Sequence, residues 1–478
     1  MQCIVFSILL LGSFNCDVIS TIVLQYTAEH TPLFNFEEAE QFPSLGKVTE
    51  NGIEMSKHIG NKLSEMYLGK YGIPEKFEDY KFHFYATYAE RAKITALATC
   101  DGLFPPGKGP KDPDNEEEFL FSKGVQPVPI DSVMKDNEYL FESDTRCSSS
   151  TRQIYRSLHS QSMNDYLDEH KDILKTFSQQ LNCLNDPETI LGAFEALSVI
   201  KRLGKKLPNG MTDEQYNNYE AMYKHLKRSY HLVGDKDFCD ASIGLMIRQL
   251  AFLLQQPSSD TSPAFTLFTT HSKLLINLLG CLANDPSSVV NENTVYEGWN
   301  AVVIIEVADQ AKNGEKANDG NSFSIKYDLN PIMGKDLNLT RLHIKGCSAP
   351  SEESPFCPVS SFKSTFSHLL SDSSSFNVQR RASSVKANTS DSDQLYLFNS
   401  FIESPSASSG TSNLSDDDWF YNFCGFPVET VDVANPTVTL IMAILCLLSL
   451  LSFVFVIVFC LRKRSKVKKY SASIKLSS

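Results

Sequence analysis

The chain has 478 residues, 42% hydrophobic and 21% charged. Its body exceeds one typical domain length, a size that large α/β folds reach as a single unit. The net charge is −13, and segment 462–478 holds seven Lys/Arg and no acid, so the rest is more acidic still. Such a body excludes nucleic-acid binding, which needs a basic face for phosphate.

Residues 1–20 read as a secretory signal peptide. The apolar run 4–11 is too short to span a bilayer, and small and polar residues follow it, with cleavage expected near Cys16 or Ser20. Ile22-Val23-Leu24 reads as a short buried strand. Thr49 is placed to cap a helix in which Ile53, Ile59, Leu63 and Tyr67 recur at helical spacing. Phe82, Phe84 and Ala86 alternate as a strand, and 89–100 reads as a helix ended by Asp101-Gly102. Strand, helix, strand, helix in this order predicts parallel α/β layering.

From about 151 to 255 the patterning is helical, with long runs at 163–181 and 213–231 and a break at Pro208-Asn209-Gly210. This is expected to be a helical subdomain inserted into the sheet domain. Phe265-Thr266-Leu267-Phe268 reads as a further strand, followed by a helix over 273–282. Segments 301–307 and 323–327 bracket a polar loop and predict an antiparallel hairpin.

The ectodomain is expected to span 21–370. Segment 371–437 reads as a Ser-rich stalk, whose few apolar residues cannot build a core. Segment 438–461 is charge-free, apolar and long enough for one transmembrane helix. The basic run after it places tail 462–478 in the cytoplasm, where it also meets anionic lipid. The reading is therefore a single-pass type I membrane protein. Its ectodomain is extracellular or in the lumen of lysosome-like vesicles.

Outside the signal and the span, eight cysteines remain, an even number that predicts disulfides in a secreted context. Cys347 with Cys357 is the expected local bridge. Asn338, Asn388 and Asn413 head glycosylation tripeptides. No Cys/His metal spacing, Gly-rich phosphate loop or serine-hydrolase elbow occurs, so neither metal nor cofactor is expected. Oligomeric state is not read from the sequence.

Several segments, taken in order, resemble the histidine acid phosphatase family. Gln25-Tyr26-Thr27-Ala28-Glu29-His30-Thr31-Pro32 sits where that family carries Arg-His-Gly-x-Arg-x-Pro. Val48-Thr49-Glu50-Asn51-Gly52, with Gly60, Leu63 and Tyr67, resembles its Leu-Thr-x-x-Gly helix. Tyr88-Ala89-Glu90-Arg91, running into Gly102-Leu103-Phe104-Pro105-Pro106, resembles its third-arginine segment, and Gln126-Pro127-Val128-Pro129 its substrate-side strand. Thr270-His271-Ser272-Lys273 resembles its His-Asp segment, and Gly346-Cys347 with Phe356-Cys357-Pro358 a short disulfide loop.

The resemblance implies a parallel-rich mixed α/β sheet flanked by helices, phosphoglycerate mutase-like, and a long-range bridge from Cys147 to Cys424. It also implies a chemistry: a histidine attacks phosphorus, arginines and a second histidine hold the phosphoryl oxygens, and an Asp protonates the leaving group. Carried over by position, Tyr26 replaces the first arginine, Thr27 the nucleophile and His30 the second arginine. Arg91 and His271 are kept, and Ser272 stands where the acid should be. A threonine needs an activating base, so catalysis by the family route is not expected. The expected function is ligand binding or recognition by an inactive phosphatase fold. Arg91, His271 and His30, cationic at acid pH, are the candidates for holding an anionic or phosphorylated ligand. The alternative is an acid phosphatase for phosphate monoesters working through another nucleophile, His30 being the best candidate.

Overall fold

The computed structural model describes residues 18–370, apart from 34–41, 116, 133, 136–137, 139, 144–146, 185, 256–262, 272–273, 291–297, 310–319 and 351–354. The chain divides into two compact units, Met1–Asp417 and Asp418–Ser478. The second unit, most of the signal segment and the stalk lie outside the described residues. So do the predicted span at 438–461 and the tail. No helix among the described residues is long and apolar enough to cross a membrane.

A seven-stranded mixed sheet forms the centre. Its strands are β1 (Val18–Tyr26), β2 (Phe82–Ala86), β3 (Phe265–Thr270), β4 (Val302–Asp309), β5 (Asn321–Asp328), β6 (Thr340–Arg341) and β7 (Cys357–Pro358). The order is β2-β3-β1-β4-β5-β6, with β7 also on β5. β2, β3 and β1 run parallel, while β4 and β5 form the antiparallel hairpin expected from their alternation. β1 and β4 are near-continuous apolar runs buried on both faces, as central strands covered by helices require. β1 begins at Val18, inside the segment assigned to the signal, and Ser20 already pairs with Val307.

Two helices cover one face, α1 (Glu50–Tyr67) and α2 (Glu90–Leu103). The Thr49 hydroxyl accepts from Gly52 N at 3.0 Å and starts α1. Its buried stripe is Met55, Ile59, Leu63 and Tyr67, whereas Ile53, expected on that stripe, is exposed. These side chains meet Phe82, Phe84, Phe104 and Phe265 in one apolar cluster. Helix α2 runs through Asp101-Gly102 rather than stopping there. Gly102 is a packing residue: a Cβ on it would collide with the Lys57 carbonyl of α1. Helix-internal glycine and helix-ending glycine look alike in sequence, which is why the boundary was misplaced.

Helices α3 (Ser148–Leu158), α4 (Gln161–Glu169), α5 (Lys171–Leu181), α6 (Pro187–Arg202), α7 (Asp213–Tyr230) and α8 (Lys236–Leu253) follow one another. Most of them share a second apolar core around Phe177, Phe194, Tyr219 and Phe238. The run expected as one helix over 163–181 is broken at His170, whose Nδ1 donates to Tyr166 O at 2.8 Å. Helix α9 (Leu274–Leu282) returns to the sheet, and α10 (Val359–Thr365) and α11 (Ser367–Leu370) end the described chain. Segment 126–129 forms no ladder. Two of its four residues are prolines, which cannot donate, and only the bridge from Tyr85 to Asp131 joins this region to β2.

Cys347 and Cys357 are bonded as expected, and Cys239 bonds Cys281, a pair that spacing left open. Cys147 is disulfide-bonded, and its expected partner Cys424 lies outside the described residues. Cys100 and Cys183 are free thiols.

Candidate functional site

Three parallel strands deliver their carboxyl ends to one edge of the sheet: Tyr26 on β1 is paired with Thr270 on β3, and Ala86 on β2 with Thr269. The crevice beyond such ends is where open α/β sheets bind ligands. Tyr26, Thr27 and His30 follow from β1, Arg91 from the segment after β2, and His271 from β3. They form one electrostatic group: Arg91 interacts with Tyr26 and His30, and His30 with His271. Ser272 lies outside the described residues.

The backbone of the β1 loop is held at almost every step. Tyr26 N donates to Ala301 O at 2.8 Å, Thr27 N to Thr270 O at 3.0 Å and Asn300 N to Thr27 O at 3.0 Å. Ala28 N donates to Thr95 Oγ1 at 2.9 Å, and Thr31 N to Lys47 O at 2.8 Å. Beneath the loop, Gln25 Nε2 donates to Asn300 Oδ1 and Thr99 Oγ1 to Gln25 Oε1, both at 2.9 Å. Ser56 Oγ lies 2.8 Å from the same Asn300 oxygen. Asn300 has φ +62, a left-handed conformation that asparagine tolerates.

Thr27 is fully buried, and its Oγ1 makes no hydrogen bond to any described residue. A base positioned to activate that hydroxyl is missing among them.

His30 is also buried, with Trp299 at 6.2 Å between ring centroids. Its Nδ1 lies 2.7 Å from Thr31 O and must donate there, so a neutral ring carries its lone pair on Nε2. Burial pushes the imidazole down to about 4, against the raising effect of the Thr31 carbonyl. The expectation of a cationic His30 at acid lumenal pH is thereby corrected: the ring stays neutral until well below the usual histidine range.

Arg91, in the first turn of α2, is half-buried, with Nη1 4.0 Å from where a Cβ on Gly46 would stand. Its guanidinium makes no hydrogen bond or ion pair with a described residue. Desolvation lowers its affinity for the proton, and Tyr26, Tyr88 and Glu142 oppose that effect.

His271 is different, because both ring nitrogens are taken. Nδ1 lies 2.7 Å from Thr87 Oγ1, and Nε2 2.7 Å from Glu142 Oε1. Tyr88 packs edge-on at 4.9 Å. Burial lowers the ring's proton affinity more than Glu142 raises it. The neutral tautomer that donates from Nε2 to the carboxylate and accepts from the Thr87 hydroxyl satisfies every partner.

Glu142 and Glu195 were missed in the sequence. Glu142 is buried against His271, and Glu195 on α6 interacts electrostatically with His30 while bonding Lys227 Nζ at 2.7 Å. Arg202, at the end of α6, stands over the Trp299 ring at 5.1 Å. Glu142 left one signal: it interrupts an apolar run, Leu140-Phe141, where a charge is costly unless paired. No cluster of His, Cys, Asp and Glu able to hold a metal occurs among the described residues.

No protein-family model matches the chain, and no curated protein matches it in sequence. Solved structures do. The phytase of Klebsiella sp. ASR1 aligns with TM-score 0.51 and 14% identity, covering 74% of this chain and 96% of that one. The phytase from Citrobacter braakii aligns with TM-score 0.50 and 13% identity, covering 74% and 98%. Hafnia alvei phytase in complex with tartrate gives 0.50 and 14%, covering 74% and 96%. Identities this low establish the fold alone, and the fold is the one implied by the motifs from Tyr26 to Cys357: this chain has the fold of the histidine acid phosphatases.

Proposed function

We propose that the protein is a single-pass membrane glycoprotein whose phosphatase-like ectodomain has lost phosphatase chemistry and binds an anionic ligand in the retained cleft. The observation that carries this reading is the contrast between Thr27 and Arg91. Among the described residues, the one at the nucleophile position is buried without a base, whereas the Arg91 guanidinium makes no ion pair and acts electrostatically on Tyr26 and His30. Recognition at the cell surface or in an acidic vesicle is the role this arrangement suits. The topology rests on the signal, the apolar span and the basic tail. The start of β1 at Val18 favours signal cleavage near Cys16 over cleavage at Ser20.

One observation favours the alternative, an acid phosphatase using His30. A buried imidazole that stays neutral at acid pH, with Nδ1 fixed to Thr31 O, keeps a nucleophilic lone pair on Nε2. The two readings separate on aryl phosphate hydrolysis at acid pH by the full-length chain in detergent. We expect no turnover, together with thermal stabilisation by phosphate that Arg91→Ala abolishes. Robust turnover that His30→Ala removes would replace the first reading with the second.

A further inference from the structure

We propose that Trp299 is the ring-recognition residue of the cleft, and that the ligand is an anion joined to a planar aromatic ring. The inference rests on the reading of the cleft as an anion site and names the remainder of its ligand.

Topology brings this ring to the crevice. β4 runs antiparallel to β1, so it begins at the sheet edge where β1 ends, with Val302 the register partner of Gln25. Trp299 lies just before that start, and its ring centroid is 6.2 Å from that of His30. The turn that carries it is built at a cost. Gly298 N donates to Leu329 O at 2.9 Å, and a Cβ on Gly298 would collide with that carbonyl and with Asn330 Oδ1. Asn300 takes φ +62, donates its N–H to Thr27 O at 3.0 Å and accepts from Gln25 on its side-chain oxygen. Both residues are buried, while the ring between them stays partly exposed. Backbone held in a sparsely populated conformation beside a crevice, bringing out a large apolar ring, points to a use for that ring.

Arg202, at the end of α6, stands over the ring at 5.1 Å from its centroid. A cation over an indole fixes the ring's plane in advance, so a ligand that stacks there pays little ordering entropy. Arg91 acts electrostatically on the same His30 that Trp299 neighbours. A ligand anchored by its anionic group at Arg91 therefore meets the indole with whatever that group is joined to. An aromatic ring is favoured at that place, because two π systems attract in offset or edge-on contact beyond the area they bury. If Trp299 served only to pack Arg202 against the turn, the ligand's ring chemistry would not matter.

Phenylphosphonate and cyclohexylphosphonate make a matched test. Each joins the same anionic group to a ring of the same carbon count, and the carbon–phosphorus bond leaves no ester to hydrolyse. At about pH 5, where the second proton is retained, they carry equal charge. Trp299 and Trp419 are the two tryptophans of the chain, so a full-length Trp419→Phe chain in detergent reports emission from Trp299 alone. We expect phenylphosphonate to change that emission saturably and, by calorimetry, to bind roughly fivefold tighter than cyclohexylphosphonate. Trp299→Leu should equalise the two affinities, and Trp299→Phe should keep part of the preference. Equal affinities in the native chain overturn the proposal, as does an emission that ignores bound phenylphosphonate or a preference that persists in a folded Trp299→Leu chain. In each case, if inorganic phosphate binds the native chain and Arg91→Ala abolishes that binding, the anion-site reading stands while ring recognition fails. If none of the three anions binds the native chain, both fail together.

Discussion

Gly60 and Gly102 face each other where α1 crosses α2, each against the other helix's backbone. A Cβ on Gly60 would run into the Thr99 carbonyl and stand 2.8 Å from Leu103 N; one on Gly102 would run into the Lys57 carbonyl and stand 2.9 Å from Asn61 N. The obstruction is backbone, which cannot move aside as a side chain can. Gly60→Ala is therefore expected to destabilise the folded body by about 3 kcal/mol, at the upper end for overpacking, although alanine is the better helix former. Urea denaturation of the two chains checks it. A loss below about 0.5 kcal/mol would mean that the helices separate freely.

His30 makes stability depend on pH in a stated direction. Its folded value of about 4 lies below the ordinary 6.5, so the unfolded chain binds the proton more readily. The stabilisation is complete above pH 6.5 and is lost as pH falls toward 4. His30→Asn, which keeps a donor for Thr31 O, should remove about 3 kcal/mol of the acid-induced loss. Denaturation midpoints at both ends of that window, in both chains, give the difference. His83 and His271 shift in the same direction, and comparison with the variant subtracts them.

Much of this frame was readable from residue order. The spacing of Ile59, Leu63 and Tyr67 gives α1, and Thr49 gives its start, because capping and periodicity are local. The meeting of Tyr26, His30, Arg91 and His271 was legible too, since each follows a strand end. Glu142 was not: its partner His271 is distant in the chain, and no short-range pattern links them. The charge state of His30 was misjudged for a related reason. It depends on burial under Trp299 and on Arg91, which tertiary structure alone supplies. The break at His170 carried no Gly or Pro to announce it.

Glu306 on β4 anchors a buried polar cluster, with Tyr67 Oη at 2.8 Å and Lys326 Nζ at 2.7 Å. Burial beside this carboxylate raises the Tyr67 phenol, which stays protonated and donates. Lys326→Met leaves the carboxylate without its cation and is expected to cost about 3 kcal/mol. The double variant Glu306→Leu with Lys326→Met should recover most of that loss. A thermal-melt double-mutant cycle reads the coupling, and an additive result would show that the pair acts as two separate residues.

Asn338 and Thr340 are exposed, and Thr340 lies in the edge strand β6. Glycan attachment there is compatible with the fold. Expressed through a secretory pathway, the chain should carry a glycan on Asn338 that peptide mass spectrometry detects and Asn338→Gln removes. An unmodified Asn338 peptide from secreted material would count against the lumenal assignment of the body.

The hydrogen bonds that hold residues 26–28 of the β1 loop come from Ala301, Thr270, Asn300 and Thr95 and use the loop's peptide groups, while further along the Thr31 hydroxyl bonds Ser44 O and Lys47 N. The Thr27 hydroxyl takes no part in that scaffold among the described residues. Shape and reactivity are thus stored in different atoms. A lineage could exchange what projects from this loop, and a protein engineer could restore histidine or arginine there, while the socket that presents them keeps its form.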